Sequence, residues 1–251
     1  MSKVSPRLGT AEWRDHVFAN PSVRRVKGRS KHTQSHDVWS RHMGRRVIVQ
    51  GRNEAIAALV LEHMCTLRMI RRYKEQPFRA SIDEFGHEII PDFLVESSDG
   101  SLCVVEVKTA RYLTAHVESV LRRTRAKFDE FGVRYLVWSD REPLTHALRH
   151  NIIEMNRLKQ SVDEAEISNL EDFLQGRGSA TVGELYAEGF DRAVIYAATS
   201  SGRAYFRLVD AFTNTLLVSL NPLLDFRAIF LGARGNNGLW WTSLSSYGGG
   251  R

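Results

Sequence analysis

The sequence predicts an α/β fold in which a mixed sheet is flanked by helices. Three observations carry that prediction. Residues 89–108 read as a β-hairpin: Pro91-Asp92 opens one strand, Ser97-Ser98-Asp99-Gly100 supplies turn residues, and 102–107 forms a second, valine-rich strand. Helical periodicity precedes this hairpin over 54–72 and follows it over 112–131. A further apolar run, 133–138, reads as a buried strand after the second helix, which places helices between strands of one sheet.

Taken in order, residues 1–45 show weak periodicity broken by Pro6, Gly9, Pro21, Gly28 and Gly44, and read as a basic arm with short ordered pieces. Over 54–72, Ile56, Leu59, Val60, His63, Met64, Leu67 and Ile70 recur at helical steps, with Asn53 as the expected N-cap. An extended segment over 73–78 leads to a turn near Gly86 and then to the hairpin. The helix over 112–131 carries Arg122, Arg123, Arg125 and Lys127 on one flank and stops at Gly132. The strand over 133–138 is followed by a helix over 144–158, which closes an α/β domain spanning 46–158.

Residues 159–225 read as a second, smaller unit with a winged-helix-like layout. It contains a helix over 160–175, a T-x-x-E capping box at Thr181 and Glu184, and a helix capped by Asp191. Two strands, over 204–209 and 216–220, are the expected wing. The tail, 226–251, places Trp240, Trp241 and Tyr247 among glycines.

Composition sets the class. The 251 residues are 43% hydrophobic and 25% charged, the balance of a globular protein. No apolar run reaches the roughly 20 residues that cross a bilayer, and the first residues lack the apolar core of a secretory signal. The two cysteines, Cys65 and Cys103, sit in apolar patterns without C-x-x-C spacing and read as buried thiols, which points to the cytoplasm. The net charge of +6 is local: residues 1–52 hold twelve of the 35 Lys/Arg but three of the 29 Asp/Glu, leaving 23 bases against 26 acids elsewhere. Such a concentration suits a surface that meets phosphate, and Arg24, Arg25, Lys27, Arg29, Lys31, Arg45 and Arg46 are the expected DNA contacts. His32, His36 and His42 lack carboxylate or thiol company at ligand spacing, so no metal site is expected there.

The hairpin also carries the chemistry. Asp92, Glu106 and Lys108 interrupt an apolar segment, where an uncompensated charge is costly. Glu106 and Lys108 share a strand face because side chains alternate. Together they fit the PD-(D/E)xK nuclease pattern. Asp92 and Glu106, with the Val107 carbonyl, offer the hard oxygen ligands that Mg²⁺ prefers. Lys108 is placed to orient a water or stabilise developing charge, and Glu54, in the first turn of the preceding helix, completes the set and admits a second metal. Glu62 and Glu96 are the rival acids.

The run Glu54-AIAALVLE, then Glu75-Gln76-Pro77-Phe78, Pro91-Asp92-Phe93-Leu94-Val95, Asp99-Gly100, Glu106-Val107-Lys108 and VRYLVWSDRE at 133–142, resembles the TnsA-type transposon endonucleases, over roughly residues 50–220. The resemblance implies a restriction-endonuclease-like core, a winged-helix-like C-terminal domain and Mg²⁺-dependent cleavage of the 5′ ends of a transposon, with one or two ions and Mn²⁺ as a substitute. It maps Glu54, Asp92, Glu106 and Lys108 onto the catalytic positions. Some relatives carry Gln where this chain has Glu106. Implied partners are double-stranded transposon-end DNA, a DDE-type transposase that cuts the 3′ ends, and an AAA+ ATPase regulator, in a bacterial cytoplasm and without a membrane. A stand-alone restriction or repair nuclease, and a non-cleaving DNA-binding subunit, are the alternatives. The basic arm and the Trp-rich tail lie outside the matched pattern.

Overall fold

The structure is a computed structural model that describes residues 7–23, 34–81, 88–221, 233–234 and 240–241, the last two pairs as backbone alone. The expected DNA contacts Arg24, Arg25, Lys27, Arg29 and Lys31 lie outside the described residues, as do His32, the turn near Gly86 and the side chains of the tail.

Within the stretch read as an arm, two ordered pieces join the body. Helix α1 (Ala11–Ala19) starts where the Thr10 hydroxyl accepts the Trp13 N–H at 3.2 Å, and it buries Trp13 and Val17. Strands β1 (Ser35–Ser40) and β2 (Arg45–Gln50) form an antiparallel hairpin that buries Val38, Val47 and Val49. The chain then turns at Gly51, whose φ of 94° disfavours any residue with a Cβ, into α2 (Arg52–Thr66).

Here the structure corrects two expectations. Gly51, not Asn53, is the N-cap, and Asn53 lies inside the helix with its side chain engaged elsewhere. The helix expected over 54–72 ends at Thr66, and Ile70–Glu75 is strand β3. The stop is a Schellman-type cap: Arg68 N–H bonds Cys65 C=O and Met69 N–H bonds Met64 C=O, both at 3.0 Å. Arg68 takes the left-handed conformation, φ 55°, that glycine usually supplies, so no glycine marks the break.

After the short pair β4 (Ala80–Ser81) and β5 (Glu88–Ile89) come β6 (Phe93–Ser97) and β7 (Leu102–Lys108), the expected hairpin. A 3₁₀ turn (Ala110–Tyr112) leads to α3 (Ala115–Asp129) and β8 (Arg134–Ser139). The four-stranded sheet runs β3-β6-β7-β8, antiparallel except for the β7–β8 pair, which is parallel across α3. This is a mixed α/β architecture with a mixed sheet flanked by helices.

Alternation along the strands divides the core. Phe93, Val95, Val105, Leu136 and Trp138 face α2 and α4 (His146–Leu158). Leu94, Leu102, Val104 and Tyr135 face Phe128 and Leu121 of α3 and Trp13 of α1. Each such side chain contributes about 1.5–3 kcal/mol on burial. Lys74, itself buried, donates to the Val17 and Asn20 carbonyls and so ties the end of α1 to β3.

The C-terminal unit contains α5 (Glu164–Arg177), β9 (Ser179–Thr181), α6 (Val182–Ala187), α7 (Arg192–Ser201) and β10 (Leu217–Ser219). The Thr181–Glu184 capping box forms as expected. The wing does not. Of the strand expected over 204–209, Tyr205 alone bridges, to Ser219, and β10 pairs with β9, the strand before α6. The reason is inward packing: Phe206 and Phe212 close on the Tyr196 ring, and Asn151 Nδ2 donates to the Leu208 and Asp210 carbonyls at 2.8 Å. Those carbonyls are therefore already satisfied without a ladder. In α7, Val194 to Thr199 are all buried. The backbone of β11 (Ala233–Arg234) pairs with that of β12 (Trp240–Trp241). Among the described residues, no helix is long and apolar enough to cross a membrane.

Candidate active site

Strands β6 and β7 set the geometry. Their register pairs Phe93 with Val105, so the next position outward opposes Asp92 and Glu106. Asp92 Oδ2 accepts the Val107 N–H at 2.6 Å, and the Asp92 carbonyl accepts the Gln76 N–H at 2.8 Å. The Asp92 carboxylate is thus aimed at β7 from the start of β6. Glu106 and Lys108 lie on the sheet face that carries Val104, the side covered by α3, and Lys108 Nζ bonds Glu106 Oε1. Glu54 sits in the first turn of α2, with Oε2 accepting the Gln50 N–H at 3.0 Å.

These charges act on one another. Burial, then the negative charges of Glu106 and Glu54, push the Asp92 carboxyl well above the usual carboxylate range, against the smaller pull of the Val107 N–H and Lys108. Burial alone would lower the Lys108 pKa, but Glu106, Asp92 and Glu54 together hold it above the ordinary lysine value. Burial, then the same pair Glu106 and Asp92, raises the Tyr135 phenol.

The structure therefore brings Glu54, Asp92, Glu106 and Lys108 within electrostatic reach. It does not converge them as ligands: among the described residues, no three His, Cys, Asp or Glu side chains form a ready metal cluster. Glu106 leans on Lys108, and Glu54 on the Gln50 N–H. The donor chemistry nonetheless fits a small hard cation, because mutually repelling carboxylates without enough positive charge among them are what a divalent ion compensates.

A supporting layer escapes sequence reasoning. Asn53 Nδ2 reaches the Lys108 carbonyl at 3.4 Å and Thr109 Oγ1 at 3.3 Å, while Arg149 donates to Asn53 Oδ1. Asp140 Oδ1 accepts the Ala110 N–H at 2.6 Å, so both sides of the chain leaving β7 are clamped. The one sequence signal for this layer is the Ser139-Asp140 turn after a buried strand. Gln76 is also unusual: its φ is 42°, and its buried Oε1 has no hydrogen-bond partner among the described residues.

The rival acids have other work. Glu62 accepts from Ser40 Oγ and Arg41 N–H, each at 2.7 Å, and fixes the β1–β2 turn. Glu96 is 2% exposed at the far end of β6 and pairs with Arg72 at 2.6 Å. Of the two described arginines expected on DNA, Arg45 makes a bidentate bridge to Glu75, both bonds 2.7 Å, and Arg46 pairs with Asp37 at 2.9 Å. His42 Nε2 lies 3.1 Å from Thr66 Oγ1. Cys65 and Cys103 are free and buried, and burial pushes each thiol up to about 12. No protein-family model matches the chain, and no curated protein matches it.

Proposed function

We propose that this chain is a metal-dependent DNA endonuclease with a restriction-endonuclease-like core, acting as the subunit of a heteromeric transposase that cuts the 5′ ends of a transposon. The observation that carries the reading is the opposition of Asp92 and Glu106 across β6 and β7, with Lys108 on the same face and Glu54 close enough to disturb Asp92. Asp92, Glu106 and the Val107 carbonyl would hold Mg²⁺ or Mn²⁺, with Glu54 completing the set for one ion or two. When bound, the cation lowers the pKa of a coordinated water and screens the phosphate.

The chain's own residues supply the rest. Lys108 keeps its proton, because the surrounding acids raise its pKa. It therefore serves as a fixed positive charge and hydrogen-bond donor toward the phosphate or the attacking water, not as a base. The Val107 N–H holds the Asp92 carboxylate in one orientation. Asn53, Arg149 and Asp140 hold the segment behind Lys108 in place.

The partners follow from the resemblance in motif: a DDE-type transposase and an AAA+ regulator, in the bacterial cytoplasm. The C-terminal unit suits protein contact better than DNA contact. Residues 159–221 carry nine Asp/Glu against five Lys/Arg, and α7, the helix that would enter a groove, is buried. The test is nicking of transposon-end DNA with Mg²⁺ or Mn²⁺, alone and with the partner proteins. Asp92→Ala and Lys108→Ala are expected to abolish nicking; equal cutting by either variant would remove these residues from the mechanism.

A further inference from the structure

The segment after Lys108 presents an unusual surface. Tyr112 is 59% exposed, and the Arg111 guanidinium lies over its ring, 4.6 Å from the centroid. The turn that carries it is anchored just before Arg111, through the Asp140–Ala110 and Asn53–Thr109 hydrogen bonds. The surface continues along α3. From Arg111 to Lys127 the chain holds five Lys/Arg and one acid, Glu118. Arg122 and Arg123 are exposed and have no ion-pair partner among the described residues. α3 covers the same sheet face that bears Asp92, Glu106 and Lys108, and its 15 residues span about 22 Å.

We infer that the Arg111–Tyr112 turn and the outer face of α3 form a DNA track leading into the candidate site, with Arg122 and Arg123 on backbone phosphates and the Tyr112 ring stacked on a nucleotide beside the cut. This rests on the nuclease reading and names its substrate-gripping surface, which is separate from the basic N-terminal stretch. The chemistry is complementary in two ways. Two adjacent exposed guanidiniums, Arg122 and Arg123, on the solvent side of α3 can each meet a backbone phosphate, and an exposed aromatic ring accepts any base face. Arg111, over the Tyr112 ring, adds charge where the strand passes.

The experiment measures fluorescence anisotropy of a labelled transposon-end duplex, beside a random-sequence duplex of equal length. It uses the full chain carrying Asp92→Asn, between about 50 and 200 mM KCl. Arg122→Gln with Arg123→Gln is expected to reduce the slope of log K against log salt by about 2. Tyr112→Ala is expected to weaken binding about tenfold with the slope unchanged, and Tyr112→Phe to stay within about twofold of the parent. Unchanged affinity and slope in both the arginine double variant and Tyr112→Ala overturn the track. If the wild-type chain cuts in a metal-dependent way while these variants bind like the parent, the track falls and the nuclease reading stands. If they lose binding as expected while no metal and no partner elicits cutting, the track stands and the nuclease reading falls.

Discussion

Asp92→Asn should make the metal-free protein more stable while removing its response to metal. Asn is nearly isosteric and keeps an oxygen for the Val107 N–H, so the packing and the 2.6 Å bond survive. What changes is charge. Extending the β6–β7 register by one step sets Asp92 opposite Glu106, at the usual cross-strand Cβ spacing of about 5 Å. At an effective dielectric of about 20 their repulsion is about 3 kcal/mol. Loss of the attraction to Lys108 offsets part of this, leaving a net gain of about 1–2 kcal/mol, or roughly 5 °C in Tm for a chain of this size.

The sign follows from the raised Asp92 pKa. A carboxyl that binds its proton more tightly when folded costs stability as pH rises from the ordinary carboxylate value through the raised one. The variant's advantage is therefore absent near pH 3.5 and full above the raised value. Thermal unfolding at pH 7.5 in EDTA, then in Mg²⁺ at about ten times its dissociation constant, reads both effects. Mg²⁺ should stabilise the wild type by about 1.4 kcal/mol and leave Asp92→Asn unmoved. A variant less stable than wild type in EDTA, or an equal Mg²⁺ shift in both proteins, would refute the reasoning.

Other outcomes follow from single residues. His63 is 6% exposed, and burial lowers its pKa to about 4, so its neutral form is favoured in the fold. Stability should fall by about 2 kcal/mol between pH 7 and pH 5 as the unfolded chain takes up the proton, and His63→Leu should flatten that limb of a urea titration; equal slopes would exclude His63 as the cause. Arg45→Ala strands the buried Glu75 carboxylate and should cost about 2–3 kcal/mol in chemical denaturation, with Glu75→Gln in the same background recovering part of it. Lys108→Ala should lower the cutting rate at least about a hundredfold while duplex affinity in anisotropy changes little; loss of both together would make Lys108 a binding group instead.

The parts of the fold that were legible are those where one local rule acts alone. The 93–108 hairpin has a two-residue period, a Ser-Ser-Asp-Gly turn and charges at its open end, and nothing distant competes with that pattern. Thr181 and Glu184 satisfy each other's orphan groups within one turn, so the capping box forms wherever the surrounding chain lies. Misreadings arose where tertiary contacts override the local rule. Arg68 adopts a glycine conformation, so the helix before β3 looked longer than it is. Tyr205 to Val209 has strand-like composition, but the Tyr196 ring and the Asn151 amide claim its side chains and carbonyls first. Asn53 read as a cap because Asn caps helices, while the Lys108 carbonyl and Arg149, 55 and 96 residues away, hold its amide.

That last case explains why the acids and the lysine were visible and their support was not. β7 belongs to two different ladders, antiparallel to β6 and parallel to β8. Its last residues therefore meet the start of β6 on one side and the end of β8 on the other. The first meeting brings Asp92 to Glu106 and leaves a trace in sequence, since charges at strand ends stand out against apolar neighbours. The second brings Asp140 to the Ala110 N–H, and leaves only a common turn residue. Arg149 from α4 and Asn53 from α2 then close behind Lys108. Like charges forced together need a scaffold stiff enough to resist their separation, and here the stiffness comes from Asn53, Asp140 and Arg149, all outside the hairpin. An Asn53→Ala change should accordingly loosen Lys108 without touching any charge in the set. It should slow cutting and leave the Mg²⁺ stabilisation of the folded chain intact, whereas loss of that stabilisation would place Asn53 among the groups that hold the ion.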